Sequence, residues 1–319
     1  MALAIPVLSV AIRRVTDEKT VTMAFGVFYS MMNLSALVSG LGTDMLRRWL
    51  GYGPASLRAM FWIGAAVSVA YTFVAYWYFR PLPAPDAEAV GPISCGQELR
   101  ETVRDSVFWR LVAFSGVIFG ARTIFRHMDS TLPKWMEREI GPKAAYGTVY
   151  SINPAIIIFA VPFVQAKLTD YDPYACIVTG TTITTLAPLV LTVFPASYAS
   201  AALFMVLLSA GESIYSPRLY EYAMVLSPPG REGMYGTLAA APLFLVKAIA
   251  GTAGGELLGM YCPAAGPRQC QYMWFVITCM AATTPMGLLL LRRYLYNAQV
   301  KERLVAGHAG KDENAADVA

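Results

Sequence analysis

The chain has 319 residues, of which 56% are hydrophobic and only 14% charged, and its mean hydropathy is +0.48. Soluble domains carry about 25% charged residues, so this composition excludes a water-soluble globular protein and describes an integral membrane one. The net charge of +4 matters less than where Lys and Arg fall along the chain.

Residues 1–20 open with an apolar run too short to span, followed by Arg13, Arg14, Asp17, Glu18 and Lys19. No small-residue cleavage site follows the run, so no signal peptide is expected. Spans are expected from about Val21 to Thr43 and from about Leu57 to Phe79. A polar, Pro-rich stretch follows, RPLPAPDAEAVGPISCGQ, with a charged amphipathic piece around Glu98 to Asp105. This is the longest polar connection, and it is read as the boundary between two bundles. Six more spans are expected, roughly Trp109–Phe125, Gly147–Val164, Tyr174–Phe194, Ser197–Val225, Gly236–Tyr261 and Tyr272–Leu291. Each is apolar enough to cross about 30 Å of hydrocarbon, allowing for tilt. From Lys301 the tail is polar and expected to be disordered.

The expected fold is therefore an all-α integral membrane bundle of about eight transmembrane helices, two plus six around a central cytoplasmic loop. Residues 1–20 form the remnant of a preceding span and a loop. Residues 21–80 are two spans of an incomplete N-terminal bundle, 81–107 a cytoplasmic linker, 108–293 a six-span bundle and 294–319 a cytoplasmic tail. With residues 1–20 inside, the cytoplasmic segments hold 14 Lys and Arg and the opposite ones seven, Arg47, Arg48 and Arg58 among the latter. That bias places both ends in the cytoplasm.

One stretch concentrates the polar chemistry. Gly211 to Pro228 reads GESIYSPRLYEYAMVLSP and continues an apolar run, so Glu212 falls at membrane depth. An ionisable group there is costly unless it faces protein or water. Pro217 interrupts the helical ladder, and Arg218 and Glu221 follow. A charged, Pro-interrupted span lines a polar cavity more often than it faces lipid.

Six spans after a long central loop resemble half of a twelve-span transporter of the major facilitator type. On that reading about four N-terminal spans are missing. Three motifs resemble the proton-coupled oligopeptide transporter family, which includes the plant nitrate/peptide carriers. Phe25, Phe28, Tyr29, Asn33, Ala36 and Leu37 fit a family motif, F-x-x-F-Y-x-x-I-N-x-G-S-L, while Met32 and Ser35 depart from it. Asn153-Pro154 with Pro162 resembles the family's eighth span. Gly211-Glu212, Ser216-Pro217 and Leu226-Ser227-Pro228 resemble its tenth. The family's E-x-x-E-R-F motif and its fourth-span lysine, associated with proton coupling and substrate binding, have no counterpart here.

The resemblance implies that Glu212 meets substrate or a gating cation and that Asn153 contacts substrate. From the residues alone, Glu212 is either a cavity carboxylate that takes up a proton or half of a structural ion pair. Asn153 either contacts solute or caps the turn broken by Pro154. Arg122 and Arg126 share one helix face. They suit a carboxylate, phosphate or nitrate, or they neutralise Glu212, Glu221 or Asp129. Neighbouring His127 is read as interfacial, with a proton relay as the alternative. Lys247, isolated in an apolar span, is expected to face the bundle beside an acid such as Glu221. Glu256 lies nearer the outer end and is read as interfacial. Tyr29 and Asn33 share a face that lines the cavity or forms an interhelical hydrogen bond. Gly251, Gly255 and Gly259 recur every four residues, the pattern of a helix-packing stripe. Cys262 and Cys270 share a loop and can pair if it is extracytoplasmic; Cys176 and Cys279 lie in spans and are read as packing residues.

The leading function is secondary transport of a small polar or anionic solute, coupled to a proton gradient, with no cofactor, metal or nucleic acid and with the bilayer as environment. The alternative is a truncated, non-transporting chain that regulates or partners a full-length relative or an N-terminal half. There is no Walker loop, no His-Glu-x-x-His, no nucleophile elbow and only two histidines, so neither an enzyme nor an ATP-driven pump is expected.

Overall fold

A computed structural model describes residues 21–78, 95–168, 171–226, 232–297 and 300, with helices and no strand among them. In chain order these are α1 (Val21–Leu50), α2 (Pro54–Tyr78), α3 (Cys95–Arg104), α4 (Ser106–Glu139), α5 (Tyr146–Lys167), α6 (Pro173–Leu186), α7 (Leu189–Val193), α8 (Tyr198–Leu226), α9 (Glu232–Tyr261), α10 (Cys270–Leu290) and α11 (Arg292–Leu295). Six spans, formed by α2, α4, α5, α6 with α7, α8 and α10, are long and apolar enough to cross a membrane. The other two expected spans are the 30-residue helices α1 and α9. The protein is an all-α, multi-pass integral membrane protein.

Local chemistry starts and stops these helices. Asp105 caps α4 by accepting the Val107 N–H at 2.9 Å. Asp172 caps α6 by accepting the N–H groups of Tyr174 and Ala175, with Pro173 in the first turn. Both are expected N-cap arrangements. The span Pro173–Val193 is broken between α6 and α7, where Pro188 lacks the N–H that a continuous ladder needs. In the other direction, α4 runs 14 residues past the Phe125 end expected from apolarity, to Glu139. Met128, Leu132, Trp135 and Met136 are buried at helical spacing through that extension, and their packing outweighs the polar residues between them.

Helix α4 packs on α9 and α10, α10 on α6 and α7, α6 on α8, and α8 on α5. Helix α1 docks on α5, and α2 touches α1. The six helices that follow the linker thus form one bundle, with α1 attached through α5. Proline in these spans leaves carbonyls without their intrahelical donor, and neighbouring helices supply replacements. Pro285 frees the Ala281 carbonyl, which accepts the Thr185 hydroxyl at 3.3 Å. Pro217 frees the Ser213 carbonyl, which accepts Gln165 Nε2 at 2.8 Å.

Two hydrophobic clusters fill the bundle at different depths. One holds Phe108, Leu111, Phe114, Ile118, Tyr174, Ile177, Tyr222 and Leu288. The other holds Ile124, Met128, Trp135, Phe204, Leu208, Tyr215 and Trp274, with Trp135 edge-on to Trp274 at 5.9 Å. Along α4 the clusters part between Ile118 and Ile124, and Arg122 lies in that gap.

The expected glycine stripe is corrected. Among the described residues, a side chain added at Gly251, Gly255 or Gly259 would meet nothing within 4 Å, whereas one at Gly254 would sit 2.8 Å from Thr131 Oγ1 and 3.3 Å from His127 Nδ1. A four-residue repeat locates a face but not what lies against it. Gly254→Leu is therefore expected to lower stability by about 1–3 kcal/mol through overpacking. Gly255→Leu should stay within about 0.5 kcal/mol of the parent. Thermal unfolding in detergent distinguishes them, and equal midpoints would refute the assignment.

The end of the bundle that carries the loop between α9 and α10 is stapled. Cys262 and Cys270 form a disulfide between the end of α9 and the start of α10. Arg138 donates to the carbonyls of Leu258 and Cys262. Arg268 donates to the carbonyls of Arg138, Pro263 and Ala264 and lies 3.4 Å from Glu139 Oε1.

Candidate functional site

Four helices bring polar groups to the level between the hydrophobic clusters. Buried Asn153 on α5 donates through Nδ2 to Ser209 Oγ at 3.0 Å and to Glu212 Oε2 at 2.8 Å, both on α8. Glu212 is half-buried and interacts electrostatically with Arg122 of α4. The Arg122 guanidinium lies over the rings of Tyr215, at 5.8 Å, and Phe125, at 6.0 Å. Such stacking orients a guanidinium while leaving its donor edge available for hydrogen bonds.

One turn along α4, Arg126 pairs with Asp129 at 2.9 Å. Asp129 also interacts electrostatically with Lys247 of α9. Tyr150 of α5 is near enough to feel Asp129, Arg126 and Glu212. The polar level therefore runs from Asn153 and Glu212, past Arg122 and Tyr150, to Arg126, Asp129 and Lys247. Three cations and two carboxylates lie along this path, with Arg126 and Asp129 in direct ion-pair contact.

The helix that carries Glu212 is braced on both sides of Pro217. Besides the Ser213 carbonyl, Gln165 Nε2 reaches the Ile214 carbonyl at 3.3 Å. Buried Arg218 donates to the Leu168 carbonyl at 2.5 Å. Both partners lie at the end of α5, so α5 and α8 form one polar seam from Asn153 to Leu168.

The structure thus brings together five of the expected residues: Glu212, Arg122, Arg126, Asn153 and Lys247. Asn153 does not cap its own turn; its amide holds Glu212. Lys247 is exposed rather than enclosed, and its acidic neighbour among the described residues is Asp129. Asn33 is half-buried on α1, which docks on α5. The side chains of Tyr29 and Glu221 lie outside the described residues. His127 is fully buried, not interfacial, with Nδ1 2.9 Å from Thr131 Oγ1. Tyr150 and Ser209 were missed as site residues, although Tyr150 precedes Asn153 by three positions and so shares its face. Among the described residues the metal-reach trio is Glu139, Cys262 and Cys270, and its two sulfurs are already joined to each other.

A multi-pass helical bundle that holds charged groups across α4, α5 and α8 fits a solute carrier. The family model of the Major Facilitator Superfamily matches residues 1–252, more than half of the chain. The chain belongs to that superfamily of membrane transporters, and its helices form a bundle of that type. No curated protein matches it.

Proposed function

We propose that this protein is a proton-coupled secondary transporter of a small polar or anionic solute, working by alternating access, with Glu212 as the coupling carboxylate. The observation that carries the reading is the Asn153–Glu212–Arg122 arrangement. A carboxylate at that depth is hydrogen-bonded by one helix and faced by a guanidinium from another. Protonation would release Arg122 for an anionic solute, and deprotonation would return it to Glu212. Arg126 and Lys247 add positive charge on the same level. The likeness of the Gly211–Pro228 stretch to the oligopeptide-carrier tenth span supports the same role. A disulfide at the Cys262–Cys270 end supports an extracytoplasmic placement of that loop, with both termini cytoplasmic.

The test is uptake into proteoliposomes under an imposed pH gradient, with nitrate, monocarboxylates and dipeptides as probes. The parent protein should accumulate at least one of them in a pH-dependent way. Glu212→Gln should retain downhill exchange and lose the pH dependence. Unchanged pH-dependent uptake by Glu212→Gln would remove proton coupling through this residue.

A second reading is a chain that works beside another membrane polypeptide, a full-length relative or an N-terminal half. It draws support from α2, whose side chains are exposed almost throughout, Phe61, Trp62, Tyr76 and Trp77 each by 75% or more. Size measurement in native membranes tests it: a stable assembly larger than the 34.7 kDa chain supports it, and a monomer counts against it.

A further inference from the structure

The end of the bundle away from the disulfide carries a second basic cluster that the transport reading does not use. Arg110 lies 28 residues before Arg138 on α4, about 42 Å along the helix axis. Its guanidinium sits over the Tyr294 ring at 5.8 Å. Its Nε is buried without a hydrogen-bond partner among the described residues. Arg292 and Arg293, immediately before Tyr294 on α11, are exposed. No carboxylate among the described residues forms an ion pair with any of these three arginines.

This cluster rests on a rigid base. The Tyr174 hydroxyl donates to the Leu288 carbonyl at 2.6 Å, and the Tyr222 hydroxyl to the Leu295 carbonyl. Tyr174 stacks on Tyr296 at 4.8 Å, and Leu295 is fully buried. The turn bearing Arg292 and Arg293 is thereby tied to α6, α8 and α10. On the other side, the Trp109 indole donates to the Val103 carbonyl at 2.7 Å, fastening α3 to α4. Arg100 and Arg104 of α3 are exposed beside it. Of the nearby described carboxylates, Asp105 and Asp172 cap helices.

The surroundings identify the kind of ligand. Trp109 and Tyr294 are exposed by 51% and 46%, and Leu289 and Leu290, the end of the adjoining span, by 60% and 79%. Aromatic rings beside arginines, next to exposed leucines at the end of an apolar span, mark the headgroup level of a bilayer. A soluble anion would use the arginines but not the leucines. Guanidinium groups bind phosphate oxygens in paired hydrogen bonds.

We propose that Arg110, Arg292 and Arg293 form a binding site for the headgroup phosphate of an anionic phospholipid, whose acyl chains run over Leu289 and Leu290. The site is distinct from the Glu212 level and does not depend on what the protein transports. Native mass spectrometry of the purified, delipidated full chain tests it, with phosphatidylglycerol and phosphatidylcholine titrated separately and inorganic phosphate as competitor. The parent should retain phosphatidylglycerol about tenfold more tightly than phosphatidylcholine, as expected for several charge-assisted contacts to one headgroup. The R110Q/R292Q/R293Q protein should show equal retention of the two lipids. R47Q/R48Q, altered at the other membrane face, should keep the parent's preference. A preference that survives the triple change, or that R47Q/R48Q loses equally, overturns the site. Displacement of phosphatidylglycerol by an equal concentration of inorganic phosphate would overturn the lipid assignment. If the triple variant is not recovered folded, R110K decides. It keeps the charge but not the planar fork, and an unchanged preference would sink the proposal.

Discussion

Gly147→Val is expected to detach α1 from the bundle and to produce the largest loss of stability of any single change at a helix crossing. A Cβ at Gly147 would lie 2.1 Å from the Gly40 carbonyl oxygen and 3.0 Å from the Asp44 carboxylate. The obstruction at Gly40 is backbone, which no rotamer change can move aside. The same crossing carries a cap supplied from another helix. The α5 N-cap residue, Ala145, makes no side-chain hydrogen bond to the first turn. Asp44, 5% exposed on α1, instead accepts the Gly147 N–H at 3.0 Å, the Thr148 N–H at 2.6 Å and the Thr148 hydroxyl at 2.7 Å. A carboxylate there also opposes the positive end of the α5 dipole. Overpacking this crossing should cost about 3 kcal/mol, the upper part of the usual range, with loss of the Asp44 contacts in addition. Asp44→Asn keeps one acceptor and should cost about 1–2 kcal/mol, the size of a lost cap. Thermal melts of the three proteins in one detergent would show the order parent, Asp44→Asn, Gly147→Val. A Gly147→Val protein that melts with the parent would show that α1 does not dock on α5 as described.

That crossing marks the boundary of what the chain disclosed before its fold was known. Apolar runs located helices at all eight expected spans, six of them long and apolar enough to cross a membrane. The Glu212 stretch stood out because a carboxylate and a proline inside such a run need a protein environment. What remained hidden depended on a second helix. Nothing in the residues around Asp44 reveals that it caps a helix over a hundred residues away. Gly254 could not be told from Gly255 by spacing, since both belong to small-residue repeats. His127 sits between charged residues and so looked interfacial, but α9 covers it. The α4 extension through Asp129 and Pro133 was obscured because polar residues ended the apolar run before the helix ended. The Arg122–Glu212 pairing was legible only as one of several open pairings; Asn153 as the group that holds Glu212 was not.

Glu212→Leu and Glu212→Gln should separate strongly in stability, although both remove the charge. In the Gln protein the side-chain carbonyl can still accept from Asn153 Nδ2, now 2.8 Å from Glu212 Oε2. Arg122 keeps a polar neighbour, so the loss should be about 1 kcal/mol, one charge-assisted bond exchanged for a neutral one. In the Leu protein Asn153 keeps only Ser209 Oγ, and Arg122 faces an apolar side chain at membrane depth. Leaving a polar group in a bundle interior without its partner typically costs about 1–3 kcal/mol, more where the group is charged. Adding Arg122→Gln to Glu212→Leu should recover part of that loss. It should destabilise the parent when made alone. The cycle isolates the coupling between the two sites, expected at about 1–3 kcal/mol for residues within one network. A Glu212→Leu protein as stable as Glu212→Gln would mean that Arg122 does not depend on the carboxylate. A rescue by Arg122→Gln would mean that Glu212 and Arg122 are a matched pair, the condition under which protonating one can free the other.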